Sequence, residues 1–285
     1  MKKTIISLIT ILIICTDIQS QFIVSPSKPN INNMTVIDSS NLRIWYAFNA
    51  TDIRKQETYD DLQRLEIGNQ TSKYYSYFLF NDDSLSTVWI KNHPNAKGIP
   101  NKFGTIGKKD TWDEYIFSEY FKNYAEHSLT QYTRMPFGMR NFYQYSEKMP
   151  EQIWKIAEDT LTIAEYLCQK ATCRFRGRNY TAWFAIDIPI QNGPWKFGSL
   201  PGLILKVSDN DMLYKFECVK VELFNKKYPI KIHDYRKFEK TDRKKLDKLF
   251  KNLYNDYFNA VGLIFTDTDN STMWKKIPYN PLELE

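Results

Sequence analysis

Apolar residues recur at every second position over several short stretches of this chain, the spacing that sets one face of a strand against a core. Asn41–Phe48 (NLRIWYAF) reads as a first strand, followed by Leu62–Ile67 and Lys73–Phe80 (KYYSYFLF), with Gly68-Asn69 turning between them. Glu114–Tyr120, Leu129–Thr133 and Asn141–Tyr145 read as further short strands rich in aromatics. Ser84–Lys91 fits a short helix, and Asn92–Lys109, broken by Pro94, Gly98, Pro100, Gly104 and Gly107, fits a loop.

The second half of the chain carries stronger patterns. Thr172–Arg176 and Tyr180–Ile188 predict a hairpin around Gly177-Arg178, and both faces of its second strand are apolar, as in a strand with neighbours on each side. Leu203–Ser208 and Leu213–Phe224 predict another hairpin, turning at Asp209-Asn210-Asp211. In the returning strand the apolar phase switches from Tyr214, Phe216 and Cys218 to Val219, Val221 and Leu223, which predicts a β-bulge near Cys218. Residues 153–171 fit either a helical stripe or two strands split at Glu158-Asp159. Thr241–Ala260 is the one long helix: Leu246, Leu249, Phe250, Leu253, Tyr254, Tyr257 and Phe258 share a stripe, and Thr241 suits its N-cap. The fold class expected from this reading is α+β: a mostly antiparallel, strongly curved β-sheet with a C-terminal amphipathic helix packed on it.

The start of the sequence reads as an address. Met1-Lys2-Lys3, the apolar run Thr4–Cys15 and the small Ser20 predict a Sec-type signal peptide over residues 1–20. The run is well short of the roughly 20 apolar residues a membrane-spanning helix needs. Residues 21–40 read as a loosely packed polar leader and 41–285 as a single domain. The mature protein is expected to be exported, periplasmic or extracellular, with no transmembrane segment. Lipid anchoring at Cys15 is disfavoured because Ile14 precedes it, where a small residue is usual. The net charge of +6 is mild and gives no reason to expect a nucleic-acid partner. Cys168, Cys173 and Cys218 are read as three buried thiols, with a Cys173–Cys218 bridge the geometric alternative.

Catalytic and cofactor signatures are sparse. Gly198-Ser199-Leu200-Pro201-Gly202 has the wrong spacing for a nucleophile elbow, and Gly104–Lys109 lacks the hydroxyl residue a phosphate-cradling loop places after its lysine. His93, His127 and His233 lie far apart, so neither a metal nor a cofactor is expected. Asp267-Thr268-Asp269-Asn270 resembles the opening of a calcium loop without its turn glycine or closing glutamate. Arg174, Arg176 and Arg178 crowd one hairpin tip, either facing solvent or holding an anion or carboxylate. Asn33, Asn49, Asn69, Asn179 and Asn270 open Asn-x-Ser/Thr triplets, a pattern an Asn-rich chain reaches by chance.

Residues 193–208 (GPWKFGSLPGLILKVS) read as a tight loop entering a strand, with Pro201-Gly202 suited to a type II turn whose glycine takes positive φ. Within it Gly198, Ser199, Leu200, Pro201, Gly202, Leu203 and Ile204 resemble the signature of the GLPGLI family, with Ser199 where the family has glycine. Cys168–Ala171, Phe175–Arg178, Ala182–Phe184, Ile188-Pro189, Lys196-Phe197 and the ending Tyr279-Asn280-Pro281-Leu282-Glu283 are similar to that family too. The resemblance implies an envelope protein of Bacteroidetes-type bacteria without a settled biochemical role. It also implies a LolA-like half-barrel, as in lipoprotein carriers, which favours strands over 153–171. The function expected on this basis is non-enzymatic: binding or carrying an apolar, lipid-like ligand, with Trp183, Trp195, Phe197, Leu200, Pro201, Gly202 and Leu203 as the binding residues. The alternative is an accessory protein partnering an outer-membrane transporter or secretion system.

Overall fold

In a computed structural model, which describes residues 23–105, 107–109, 111–262 and 277–285, strand pairing dominates. Among the described residues, twelve strands form one sheet in the order β12-β6-β5-β4-β3-β2-β1-β11-β10-β9-β8-β7. They are β1 (Thr35–Phe48), β2 (Asp61–Gly68), β3 (Thr71–Ser76), β4 (Ser118–Asn123), β5 (Ser128–Thr133), β6 (Tyr143–Lys148), β7 (Lys155–Ile163), β8 (Tyr166–Phe175), β9 (Arg178–Ala185), β10 (Leu203–Asp209), β11 (Lys215–Ile232) and β12 (Glu239–Lys240). Chain order and spatial order nearly coincide. One antiparallel meander runs β1 to β6, a second runs β7 to β11, and the two join where β1 pairs with β11. Among the described strands only β12 on β6 is parallel, and the two ends of the sheet, β12 and β7, are not paired with each other.

Local chemistry sets the departures from the expected boundaries. The run 73–80 does not continue as a strand: β3 stops at Ser76, whose Oγ accepts from the Leu79 N–H at 3.0 Å and caps α1 (Tyr77–Asn92). Residues 153–171 are strands β7 and β8, and the turn is at Ala164-Glu165, both at positive φ, rather than at Glu158-Asp159. Asp113–Ile116 is a turn ahead of β4 rather than part of a strand. The bulge falls where expected, since β1 pairs Trp45 with Lys220 but Tyr46 with Cys218, leaving Val219 as the extra residue. The long helix is broken: α2 (Arg243–Asn255) is capped by Asp242 rather than Thr241, and Asp256 ends it while capping α3 (Tyr257–Ala260). Of the polar leader, residues 35–40 open β1 and Ile23 is buried.

The principal core lies on one face of the sheet. Leu42, Ile44, Tyr46 and Phe48 of β1 meet Leu65, Phe184, Leu205 and Phe216, and the face is covered by Trp195, Phe197 and Leu200 of the loop after β9 and by Leu282. A second cluster joins Leu246, Phe250 and Leu253 of α2 to Trp112, Phe117, Met135 and Tyr145, so the amphipathic helix does pack on the sheet. Cys168, Cys173 and Cys218 are buried free thiols, and burial holds each above the usual thiol range. No helix among the described residues is long and apolar enough to cross a membrane.

Candidate functional site

Helix α1 is inside out. Asp82, Asp83, Ser86 and Thr87 are buried, while Leu85, Val88 and Ile90 face solvent. Burying carboxylates and hydroxyls costs free energy unless something uses them. Here Asp82 and Asp83 form the floor of a cleft of about 520 Å³, within the roughly 300–1,000 Å³ typical of small-molecule sites. Its walls come from Val24–Lys28, the β1–β2 connection at Asp60-Asp61, the 99–102 loop with Lys109 and Thr111, and Phe117, Arg134 and Phe137.

Ion pairs among the described residues brace the cleft. Lys28 bonds Asp82 and donates to the Asn101 carbonyl at 2.7 Å, tying two walls together. Arg134 Nη2 reaches Asp83 Oδ2 at 2.9 Å, and Lys109 reaches Asp113 at 2.9 Å. Asp61 Oδ1 accepts from Ser76 Oγ at 2.8 Å, so the residue that caps α1 also anchors a carboxyl of the floor. Two acceptors remain unmatched: Asp61 Oδ2 and Asp83 Oδ1 are buried without a hydrogen bond among the described residues. Burial pushes the Asp61 carboxyl well above the usual range, and it pushes Asp83 up to about 6 despite the nearby Arg134. Alongside these acceptors stand the apolar Phe78, Ile99, Pro100, Ile116 and Phe117. The arrangement suits a neutral ligand that presents hydroxyl or amide donors on one side and a C–H face on the other.

The residues expected to bind from sequence lie elsewhere. Trp195, Phe197, Leu200, Gly202 and Leu203 are buried in the principal core, Pro201 is exposed, and Trp183 is half-buried beneath the Lys170 ammonium. None of them lines the cleft. The loop they form is held from below by Lys122, which donates to Asn192 Oδ1 at 2.7 Å and to the Phe197 carbonyl at 2.6 Å. The glycine of the turn is needed for a different reason than expected. Ser199 takes the positive φ, of 64°, while a Cβ on Gly202 would sit 2.1 Å from the Ala185 carbonyl oxygen. The motif Gly198–Ile204 thus meets structural demands: a positive-φ residue, a close backbone approach and leucines for the core.

Arg176 and Arg178 are not the solvent side of their hairpin. Arg178 is buried on Asp209 at 3.2 Å, and Arg176 pairs with Glu147 at 2.7 Å, while Arg174 is exposed. Among the described residues no group of three His, Cys, Asp or Glu side chains is arranged to hold a metal ion. The calcium-like Asp267–Asn270, Cys15 and the signal segment 1–20 lie outside the described residues.

The cleft residues carried one signal in the sequence that went unread. The doublets Asp60-Asp61 and Asp82-Asp83 flank an aromatic stretch, and the second follows directly on the apolar first turn of α1 and Asn81. Lys28, Arg134 and the 99–111 loop are distant in sequence, and nothing local marks them.

Comparison with known proteins bears on all of this. No curated protein matches the chain. Two solved structures of PNGF-II, in P21 and C2 crystal forms, are 15% and 16% identical with TM-scores of 0.44 and 0.43. Each match covers 74% of this chain, which spans about a third of their length (33% and 32%). The family described as N-glycanase peptide, N-terminal domain matches residues 106–251. That match overturns the GLPGLI and LolA-like resemblance, and with it the apolar-ligand carrier and the transporter-accessory roles. Since it spans just over half of the sequence, the chain belongs to the N-glycanase peptide N-terminal domain family.

Proposed function

We propose that this chain is a non-catalytic recognition domain of the N-glycanase kind, which holds a neutral, polyhydroxylated glycan in the cleft beneath α1. The observation that carries the reading is the family match over residues 106–251, which include the cleft residues Lys109, Thr111, Ile116, Phe117, Arg134 and Phe137. The cleft supports it chemically. Asp61 Oδ2 and Asp83 Oδ1 offer acceptors to ring hydroxyls, and Phe78 and Phe117 offer faces to ring C–H groups. The reading of residues 1–20 as a signal peptide supports a role outside the cytoplasm.

Isothermal titration of the chain with a released N-glycan, the matching glycopeptide and the bare peptide tests the proposal. Binding of the first two and not the third is expected, with affinity lost in Asp61→Asn and Asp83→Asn variants that still fold. If neither glycan-bearing ligand binds the folded chain, the reading falls.

A further inference from the structure

Residues Asn280–Leu284 cross the principal core without joining a ladder, and the sheet reads their backbone through side chains. Arg178 Nε donates to the Pro281 carbonyl at 2.8 Å, and its Nη2 donates to the Asn280 carbonyl at 3.2 Å and to Asn280 Oδ1. Tyr214 OH donates to the Asn280 carbonyl at 2.6 Å and Tyr180 OH to the Leu282 carbonyl at 2.8 Å. In return, the Leu282 N–H donates to Tyr115 OH at 2.7 Å and the Leu284 N–H to the Arg176 carbonyl at 2.9 Å. Leu282 is fully buried as an apolar anchor. The Glu283 carboxylate sits among Lys196 at 2.7 Å, Arg243 at 3.2 Å and Arg176 at 3.4 Å. The cationic neighbours hold it below the usual carboxylate range although it is buried.

These are the parts of a peptide-recognition groove: donors for successive carbonyls, one deep apolar pocket, and one cationic pocket for an acidic side chain. The principal donor is preset, because Arg178 is itself held by Asp209. An element that only closed a core would be expected to satisfy its backbone through neighbouring strands, as the rest of this sheet does.

We infer that this groove is a second binding site, specific for extended peptides of the pattern Asn-Pro-apolar-Glu, and that residues 280–284 are its ligand held in cis. The inference is independent of the glycan cleft. A matching segment from another polypeptide competes for the same contacts, and its apparent affinity is lowered by the cis segment, whose effective concentration is on the order of millimolar.

The test uses a fluorescent heptapeptide, Tyr-Asn-Pro-Leu-Glu-Leu-Glu, and the full chain. In a Leu282→Ala, Glu283→Gln double variant the cis ligand is weakened and the groove is untouched. The peptide should bind this variant at least ~10-fold tighter than the unaltered chain, and adding Arg178→Lys should remove the gain. A folded double variant with no affinity for the peptide overturns the inference. Should the double variant fail to fold, hydrogen exchange on the unaltered chain decides. Excess peptide should speed exchange at the Leu282 and Leu284 amides relative to Ala182 in β9; unchanged rates mean that the segment is a fixed part of the core.

Discussion

The groove around Asn280–Leu284 and the cleft beneath α1 both bury several charges, yet they balance them differently. In the groove each charge meets a counter-charge: Arg178 meets Asp209, and Glu283 meets Lys196, Arg176 and Arg243. The shortfall there is confined to Glu147 Oε1 and Arg176 Nη1, which lie in ion pairs of 3.5 and 3.4 Å without a hydrogen bond. In the cleft, Asp61 has no ion pair among the described residues and one oxygen of Asp83 is unmatched. A buried charge with a complete set of partners needs nothing more, and in the groove the cis segment supplies part of that set. A buried acceptor without one is carried at a cost, and a ligand donor removes that cost.

Removing partners in the groove should therefore produce the largest stability losses in the molecule. Arg178→Ala strands the Asp209 carboxylate, which is 1% exposed, and takes away the donor to Pro281. A loss of about 3–5 kcal/mol is expected, measured by urea denaturation. Leu282→Ala empties the anchor pocket and should cost about 2–5 kcal/mol, depending on how far the core collapses around it. Losses below about 1 kcal/mol in both would mean that the segment contributes little to the fold, and the contrast with the cleft would fail. Gly202→Ala, which touches neither region, calibrates the scale. Its Cβ meets the Ala185 carbonyl oxygen, and about 1–3 kcal/mol should be lost as the strands part.

How far the sequence revealed these two regions follows from what each is made of. Strands β9 to β11 were legible because they bury alternate residues and are bounded by turn residues, so period and turn chemistry agree locally, whereas the β7–β8 stretch fits a helical stripe equally well. Strand β3 ran on too far because Tyr77, Phe78 and Phe80 suit a strand by composition, and only the Ser76 hydroxyl on the Leu79 amide turns the chain into α1. The loop 193–202 reads from its Pro and Gly as a tight entry into a strand, as it is, while the burial of its Trp195 and Phe197 in the core has no local mark in the sequence. The groove was half visible: the Arg176–Arg178 cluster suggested carboxylate binding, while its partner Glu283 lies more than a hundred residues away. The cleft showed only through its two Asp doublets, because its floor and walls come from short stretches scattered between residues 23 and 137, and helical periodicity does not announce a helix that hides its polar side.

Neutralising the cleft should act oppositely to disrupting the groove. Asp61→Asn keeps the shape and an acceptor for the Ser76 hydroxyl while removing a carboxyl that burial disfavours in its charged form. Stability at pH 7 should stay within about 1 kcal/mol of the parent or rise, while glycan affinity falls at least ~10-fold, about 1.4 kcal/mol. A large stability loss with unchanged affinity would reassign Asp61 to the fold.

The finest discrimination is the pH profile of Asp83. Its folded carboxyl titrates at about 6 against an ordinary 3.8, raised by burial and by Asp82, with Arg134 and Lys28 opposing. Between those values the unfolded chain has released this proton and the folded chain has not. Stability from this group therefore falls as pH rises from about 4 to about 6, and is level above that. Glu114 and Asp247, raised to about 7 and about 6, add losses of the same sign. The informative quantity is thus the difference between parent and Asp83→Asn, which retain those two groups in common. The parent should lose ~2–4 °C more in Tm than the variant between pH 4 and pH 6.5. Saturating glycan should shrink that difference, because a donor on Asp83 Oδ1 stabilises the carboxylate and brings its titration back toward the ordinary value. Parallel profiles with and without glycan would mean that Asp83 is an ordinary paired carboxylate, and the cleft would then be no different in kind from the groove.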